Sequence, residues 1–470
     1  MCTKELASAL PKGSRNDEIN SMKQTVFGTD GIRGVANSFP MTPEMALQVG
    51  KALVISINHS RHPKRILIGK DTRISGYIFE TALTSGICAM GAEVLLTGPL
   101  PTPAVAHLTK SMNVDAGIMI SASHNDAEDN GIKFFHADGY KFDEKLEQEI
   151  EQHLFTEIDG VDSKHLGKAM RVKAPDSRYI EYAKQTVNNI SLKGVKVVLD
   201  CANGAAYKIG PQVLCELGAQ VIPMNVEPDG LNINRNAGVF YPQEVSKQVL
   251  KHKADLGIIV DGDADRLVMI DEKGNIIDGN ASLAIIAIYK KKLGLLKDNT
   301  VVTTVMANMG FHELMAKNNI EVISTPVGDK FVSQALRENS YSLGGESSGH
   351  IMLADLSTSA DGLVSALKVI QAMKKDGKSL SALNQYRAYP QVLLNFPVKS
   401  KQPIDKMEQT QKAIKKAEEK LDGNGRILVR YSGTENIARV MVEGKSASDV
   451  KTIANGVADI LKEEIENAKN

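Results

Sequence analysis

A strand–helix–strand pattern that occurs three times is the feature that most constrains how this chain folds. The paired apolar segments are RILIGKDTR and GAEVLLTG, VKVVLDCANG and GAQVIPMN, and NTVVTTVMAN and NIEVISTPVG. They lack the alternation of a half-exposed strand, which indicates strands covered on both faces. The amphipathic run within each pair is the crossover that parallel strands require. The sequence therefore predicts three related α/β domains with mixed or parallel sheets.

The C-terminal segment, residues 391–470, has a different pattern. DKMEQTQKAIKKAEEKL is typical of an amphipathic helix, RILVRYSGTENIARVMVEG of two strands around a polar loop, and SASD of a helix start. These elements predict a smaller C-terminal α+β domain. With seams near Asp176, Asp278 and Pro390, the predicted division is a flexible tail at 1–21 followed by domains at 22–176, 177–278, 279–390 and 391–470.

The composition argues against some classes of partner. Among 470 residues, 56 lysines and arginines balance 56 aspartates and glutamates, so no overall charge attracts nucleic acid or an acidic membrane. No apolar run approaches the ~18 residues of a membrane span, and the polar N-terminus does not resemble a secretory signal. The four cysteines form no C-x-x-C pair, which favours buried, reduced thiols and a cytoplasmic location.

The loop VDGDADRLVMID carries three alternating aspartates, Asp261, Asp263 and Asp265. In a turn, which Gly262 permits, their carboxylates can converge on one hard cation, and Mg²⁺ suits such a ligand set. A solvated acidic turn is the plainer alternative. An EF-hand is excluded, because Arg266 occupies the position that needs glycine and the flanking segments are strand-like.

The segment GIMISASHNDAEDNGIKFF is predicted as two strands that enclose a polar loop with Ser123 beside His124. A serine hydroxyl is a weak nucleophile at neutral pH, so it needs a base or a metal nearby. The alternative interpretation of Ser123 is an ordinary capping or turn serine.

The loop GGESSGH combines a close-approaching glycine backbone with groups that suit a sugar. Glu346 and Ser348 are candidates for hydrogen bonds to vicinal hydroxyls, and His350 for a proton carrier. Taken alone, a glycine- and serine-rich turn explains this heptad equally well.

The loop RYSGTENIAR has the composition of a phosphate site. Ser432, Gly433 and Thr434 offer hydroxyls and consecutive N–H groups, and Arg430 and Arg439 flank them. An ordinary hairpin turn is the alternative. The earlier loop FGTDGIRG, with Arg33 among glycines, is a further candidate anion contact, or again a plain turn.

The four loops together indicate phosphoryl transfer on a phosphorylated small molecule, since each predicted domain supplies one part. The motifs FGTDGIRG, ISASHN…DNGIKFF, DGDADR, GESSGH and RYSGTEN occur in this order. With them the chain, from Phe27 to its C-terminus, resembles the α-D-phosphohexomutases. The resemblance implies a heart-shaped protein of four domains around a central cleft.

The resemblance also implies a role for particular residues. The catalytic residues that it implies are Ser123, which would carry the phosphoryl group, Lys133 and His350 as general acid and base, and Arg33. The implied metal ligands are Asp261, Asp263, Asp265 and a phosphoryl oxygen on Ser123. The implied substrate-binding residues are Glu346, Ser348, Arg430, Ser432, Gly433, Thr434 and Arg439.

The reaction that the resemblance implies is the interconversion of glucosamine 6-phosphate and glucosamine 1-phosphate, which feeds UDP-N-acetylglucosamine and cell-wall synthesis. It would need one Mg²⁺ per chain and pass through glucosamine 1,6-bisphosphate as intermediate or activator. An activating kinase or autophosphorylation would supply the first phosphoryl group. The alternatives are a phosphomannomutase or phosphoglucomutase of the same fold, a phosphatase that uses Asp261 as nucleophile, and a non-catalytic sugar-phosphate sensor.

Three positions depart from the family's motifs. Asp126 and Asn436 stand where the family has proline, and Ala264 stands where it has glycine. If position 264 requires a positive φ, alanine is strained there. Asp126 also adds a negative charge close to a group that must hold phosphate.

Overall fold

A computed structural model describes residues 26–28, 30–57, 63–398, 401–432 and 436–467. The predicted tail at 1–21 lies outside these residues, as do Gly433 and Thr434 of the predicted phosphate loop. The described chain forms four β-sheets with helices packed on them.

The first sheet has seven strands in the order β1-β2-β6-β5-β3-β4-β7. Its strands are β1 (Phe27–Gly28), β2 (Gly31–Val35), β3 (Arg65–Lys70), β4 (Glu93–Pro99), β5 (Ala116–Ile120), β6 (Asp129–His136) and β7 (Ala169–Arg171). Its helices are α1 (Pro43–Ser56), α2 (Gly76–Ala89), α3 (Thr102–Ser111) and α4 (Glu144–His153).

The second sheet has the order β12-β11-β10-β8-β9. Its strands are β8 (Lys196–Asp200), β9 (Gln220–Met224), β10 (Leu256–Val260), β11 (Leu267–Asp271) and β12 (Ile276–Ile277). The accompanying helices are α5 (Pro175–Thr186), α6 (Ile209–Glu216) and α7 (Pro242–His252).

The third sheet has the order β14-β13-β15-β16. It contains β13 (Thr300–Thr304), β14 (Glu321–Thr325), β15 (Gly344–Gly345) and β16 (Ile351–Met352). Its helices are α8 (Gly279–Lys292), α9 (Met309–Lys317), α10 (Asp329–Asn339), α11 (Gly362–Asp376) and α12 (Leu380–Leu383).

The fourth sheet is antiparallel, in the order β17-β19-β18. It is built from β17 (Gln391–Pro397), β18 (Gly425–Tyr431) and β19 (Ile437–Gly444), with helices α13 (Glu408–Leu421) and α14 (Ala447–Asn467). It has a core of its own, which includes the fully buried Val440, Ala454 and Leu461. The predicted C-terminal α+β architecture is confirmed.

The three strand–helix–strand units are also confirmed. β3 pairs with β4, β8 with β9 and β13 with β14, each in parallel. Helices bury the central strands: every residue of β13 is buried, and five of the six in β3. The expectation of strands covered on both faces is wrong for β9 and β14, which lie at sheet edges and are mostly exposed or half-buried. One core cluster extends from Leu67 to Tyr386 and joins the first three sheets.

No helix in the described part of the chain has the length and apolar character that a bilayer crossing requires. The expectation of buried thiols is wrong in part. Cys201 is buried, but Cys88 is half-buried and Cys215 is exposed on α6. An apolar helical pattern shows which residues share a face but does not show how completely that face is covered.

Candidate active site

Ser123 and the three aspartates lie together where two sheets meet. Ser123 is in the loop between β5 and β6, and the aspartates are in the loop between β10 and β11. Carboxylate oxygens of Asp261, Asp263 and Asp265, the acidic cluster, lie within 4.8 Å of one another. The Ser123 hydroxyl donates to Asp261 Oδ2 over 2.6 Å, and all four side chains are buried.

The backbone of the acidic loop packs directly on the serine loop. A Cβ atom at Gly262 would lie 2.6 Å from the Ser123 carbonyl oxygen, so only glycine permits this approach. Ala264 has φ +59°, and its N–H donates to the Asp261 carbonyl over 3.0 Å. Alanine therefore occupies a left-handed position that favours glycine, as expected from the departure in the motif.

The acidic cluster has the character of a cation site. Burial, reinforced by Asp265 and Asp263, raises the pKa of Asp261 to about 7. Asp263 Oδ1 is buried without a hydrogen-bond partner among the described residues. Convergent carboxylates with an unsatisfied buried oxygen fit a divalent metal, which would relieve their mutual repulsion.

Lys133 of β6 is a cation already within this cluster. Its Nζ lies 2.8 Å from Asp263, 3.3 Å from Asp265 and 3.4 Å from Asp30. Burial lowers the pKa of Lys133, but these carboxylates outweigh burial and hold it well above its usual value. Arg33 of β2 pairs with Asp30, so the glycine-rich loop and the acidic cluster share one charge network.

His350 connects the predicted sugar loop to the same cluster. Its Nε2 lies 2.9 Å from Asp265 Oδ1, and its Nδ1 is 3.3 Å from both Glu346 and Ser348. Burial opposes the charge on His350, yet Asp265 raises its pKa to about 10. His350 also forms a backbone bridge with Arg266, which places the sugar loop against the acidic loop.

The predicted phosphate loop lies on the separate C-terminal sheet. Arg430 of β18 and Arg439 of β19 are directly opposed in the antiparallel pairing. Burial and the neighbouring Arg439 both lower the pKa of Arg430. Two adjacent cations repel each other, and a bound anion would offset that repulsion. The Ser432 N–H closes the hairpin onto the Ile437 carbonyl over 2.8 Å.

Several residues that support the site were not found from the sequence. Thr102 at the start of α3 donates to Asp263 Oδ2 over 2.6 Å, and Asp30 joins Arg33 to Lys133. Lys401 donates to the Ser432 carbonyl over 2.7 Å, which brings a further cation to the predicted phosphate loop. Asp30 was visible in its motif, whereas nothing near Thr102 or Lys401 indicated a site.

The two remaining departures from the motifs have little effect on the site. The Asp126 side chain is exposed, and its carbonyl is bound by Arg73, so its charge faces solvent. Asn436 is also exposed, and its carbonyl accepts from the Val398 N–H over 2.8 Å. Both contacts use the carbonyl oxygen of the residue itself, so neither contact requires proline at that position.

Four family models match successive parts of the chain. Those described as phosphoglucomutase/phosphomannomutase alpha/beta/alpha domains I, II and III match residues 24–160, 177–274 and 278–389, and the C-terminal domain matches 393–460. The chain belongs to the phosphoglucomutase/phosphomannomutase family. The predicted resemblance is confirmed, and the chain is an enzyme of the phosphohexomutase type, an isomerase that works by phosphoryl transfer.

Curated relatives within this family align with almost the whole chain. The phosphoglucosamine mutase of Syntrophotalea carbinolica is 47% identical over 448 residues, which is 94% of this chain and 98% of the relative. That of Syntrophus aciditrophicus is 48% identical over 445 residues, 94% of this chain and 99% of the relative.

Solved structures of the family share the fold at low identity. A phosphoglucomutase/phosphomannomutase family protein of Burkholderia thailandensis has a TM-score of 0.77 and 22% identity, over 94% of this chain and 98% of that one. The Aspergillus fumigatus N-acetylphosphoglucosamine mutase, solved with GlcNAc-6P and magnesium, has a TM-score of 0.65 and 16% identity, over 93% and 96%.

Proposed function

We propose that the chain is a phosphoglucosamine mutase that interconverts glucosamine 6-phosphate and glucosamine 1-phosphate through a phosphoserine. The observation that carries the proposal is the Ser123 hydroxyl, 2.6 Å from Asp261 within a buried acidic cluster. Support for the substrate comes from the relatives named phosphoglucosamine mutase at 47–48% identity. The product would enter UDP-N-acetylglucosamine and cell-wall synthesis.

We propose Mg²⁺ as the metal, one per chain, held by Asp261, Asp263, Asp265 and phosphorylated Ser123. Hard carboxylate oxygens are the ligands that Mg²⁺ prefers, and the buried triplet provides them. When bound, the ion would neutralise charge on the transferring phosphoryl group.

In the proposed reaction, phosphorylated Ser123 transfers its phosphoryl group to a free sugar hydroxyl. The bond from phosphorus to Ser123 Oγ breaks as the bond to the sugar oxygen forms, and the sugar hydroxyl loses its proton while Ser123 Oγ regains one. Lys133 and His350 are the proposed proton carriers, because both contact the acidic cluster. The resulting 1,6-bisphosphate turns around, and the reverse transfer from its other end restores phosphoserine.

The other proposed contacts bind the sugar and the non-reacting phosphate. Glu346 and Ser348 would bind sugar hydroxyls, since both lie against His350. Arg33 would line the cleft. The distal phosphate would be held by Arg430, Ser432, Gly433, Thr434 and Arg439. The direct pairing of Arg430 with Arg439 across the two strands supports this role.

Further parts of the proposal concern the whole protein. We propose domains at 22–176, 177–278, 279–390 and 391–470, a cytoplasmic location, and initial phosphorylation of Ser123 by a kinase or by autophosphorylation. The proposed substrate is a small phosphosugar, and neither nucleic acid nor a membrane is a proposed partner. Relatives solved with sugar phosphates support this substrate class.

The proposal is tested with Ser123→Ala. The variant lacks the hydroxyl that stores the phosphoryl group, so we expect no detectable turnover, while binding of glucosamine 6-phosphate in calorimetry persists. Peptide mapping by mass spectrometry of the wild-type protein should find phosphate on Ser123. Turnover by Ser123→Ala, or phosphate on Asp261 instead, would refute the phosphoserine assignment.

The substrate is tested by comparing kcat/KM for the glucosamine, glucose and mannose phosphates, with MgCl₂ and with a chelator. We expect the glucosamine phosphates to be converted fastest, and only with the metal. Faster conversion of the mannose or glucose phosphate would identify the chain as a phosphomannomutase or phosphoglucomutase instead.

A further inference from the structure

Arg73, just after β3, is the largest fully buried side chain among the described residues, and it contacts the serine loop at four points. Its Nη2 donates to the carbonyls of Asn125 over 2.7 Å and Ser123 over 3.2 Å. Its Nη1 donates to Asp129 O over 3.0 Å and to Asp126 O. A guanidinium has five donors in a fixed fork, so one side chain fixes the path of the whole loop.

Asp71 connects Arg73 to the backbone N–H of Ser123 through the Ser121 hydroxyl. Its Oδ2 accepts from Arg73 Nε over 2.9 Å and from the Ser121 hydroxyl over 2.6 Å. The Ser121 oxygen in turn accepts from the Ser123 N–H over 2.9 Å. Asp71 therefore neutralises the charge of Arg73, and the Ser121 hydroxyl links the Asp71 carboxylate to the Ser123 N–H.

Asn234 approaches the same loop from the second sheet's side of the site. Its Nδ2 donates to the carbonyls of Ser123 and Asn125, each over 2.8 Å. Ser123 therefore has its N–H bound by one side chain and its carbonyl bound by two. Asp71, Arg73, Ser121 and Asn234 form the anchoring network, and all four are buried.

The conformation of Ser123 explains why such a network is needed. Its φ is +52°, a left-handed conformation that costs a non-glycine residue about 1–2 kcal/mol. An isolated loop would leave this conformation, and the hydroxyl would then turn away from Asp261. Hydrogen bonds to both backbone groups of this one residue offset the strain and keep Oγ directed at the acidic cluster.

We infer that the anchoring network holds Ser123 in position for phosphoryl transfer, so its members are positioning residues and not merely supports of the fold. The inference rests on the proposed function. Two features favour it over a general structural role. Three of the contacts bind the backbone of the reacting residue itself, and one of these, from Asn234, comes from the chain segment that precedes the acidic loop. Small displacements of a reacting group can cost about 100-fold in rate.

The test replaces Ser121 with alanine, which removes the hydroxyl bridge but leaves the Asp71–Arg73 ion pair intact. We expect kcat per phosphorylated enzyme to fall about 10- to 100-fold, because the phosphoryl group loses alignment. KM should stay within about threefold, since the Ser121 side chain is fully buried and is none of the proposed substrate contacts. The matched control is Thr109→Val, which also removes a buried hydroxyl, one that bonds only within α3.

A spectroscopic measurement separates positioning from stability. Mn²⁺ broadens the ³¹P signal of phosphoserine strongly at short distance, so Ser121→Ala should show weaker broadening than the Thr109→Val control at saturating metal. Asn234→Ala is the second variant, and it should reproduce both effects if Ser121→Ala does not fold.

The outcomes distinguish the two proposals. If the wild-type protein is active but kcat and ³¹P broadening of the folded variants match Thr109→Val, the anchoring network has no positioning role. A wild-type protein that converts none of the three sugar phosphates would overturn the proposed function, and the network's role in transfer with it.

Discussion

At the scale of single residues, the site keeps two non-glycine residues in a left-handed backbone conformation. Ser123 has φ +52° and Ala264 φ +59°, and each is buried. Contacts from distant parts of the chain hold both: Asn234 binds the Ser123 carbonyl, and the Gly362 N–H donates to the Ala264 carbonyl over 3.0 Å. Strain that persists under such contacts is typical of functional sites.

Replacing Ala264 with glycine is expected to leave stability nearly unchanged. Relief of strain favours glycine by about 1–2 kcal/mol. Loss of a buried methyl group opposes it by about 0.8 kcal/mol, and the freer unfolded chain by about 0.4–1 kcal/mol. The free energy of unfolding from urea titration should therefore change by less than about 1 kcal/mol, with kcat retained. A larger loss would mean that the methyl group has a packing role. Ala264→Val, which is branched at this φ, should be clearly less stable.

The residue types of the site were predictable because short motifs contain them, but their partners were not. Ser123, Asp261 and His350 each stand in a loop whose composition indicates chemistry. Arg73 lies 50 residues from Ser123 in sequence, and Thr102 lies 161 residues from Asp263. Contacts at such separations depend on how the sheets pack, which local pattern does not encode.

At the scale of elements, the periodicity predicted strands and helices well, whereas their exact ends depended on local chemistry. The amphipathic pattern from Asp405 forms a helix only from Glu408, because residues 404–406 adopt a short 3₁₀ turn. The antiparallel addition of β2 and β6 to the first sheet was not predictable, since strand order is set by long-range pairing.

The attachment of the C-terminal sheet to α9 supports an element-scale prediction. Glu443 of β19 is fully buried, pairs with Arg426 Nε over 3.0 Å and accepts from the Met309 N–H over 3.1 Å. Glu443→Ala would leave these donors unpaired, so we expect a loss of about 2–4 kcal/mol in a chemical denaturation of the full chain. Cleavage by a protease around Pro390 should also accelerate.

The control for Glu443 is Glu419→Ala, an exposed position on α13 that should behave as the wild type. Equal stability and equal protease resistance in Glu443→Ala and Glu419→Ala would show that the buried carboxylate does not secure the C-terminal sheet.

At the scale of the whole molecule, the first three sheets share a core that the fourth does not. The shared cluster includes Leu67, Val197 and Val301, one from each of the three sheets, whereas the C-terminal core is separate. Three helices of this shared core contact one another through polar side chains. The ring of His107 in α3 stacks on that of Tyr182 in α5, with 3.9 Å between ring centroids. The Tyr179 hydroxyl of α5 donates to Asp361, the N-cap of α11, over 2.7 Å. The stability of this junction is therefore coupled to protonation.

The His107 stack gives the whole molecule an expected dependence on pH. Burial and the nearby Lys110 lower the pKa of His107 to about 4, whereas an unfolded histidine titrates near about 6.5. Between these two pH values the unfolded chain binds a proton at this histidine and the folded chain does not, so the free energy of unfolding falls as the pH falls from about 6.5 towards 4.

His107→Phe keeps a stacking ring that does not titrate. Its free energy of unfolding should therefore fall less between pH 7 and pH 5 than that of the wild type. His165→Phe, at an exposed side chain that pairs with the exposed Asp162, serves as the control and should stay close to the wild-type dependence, because surface pairs contribute little. If His107→Phe and His165→Phe lose stability equally over this range, protonation of His107 does not open the junction, and the acid sensitivity arises elsewhere in the fold.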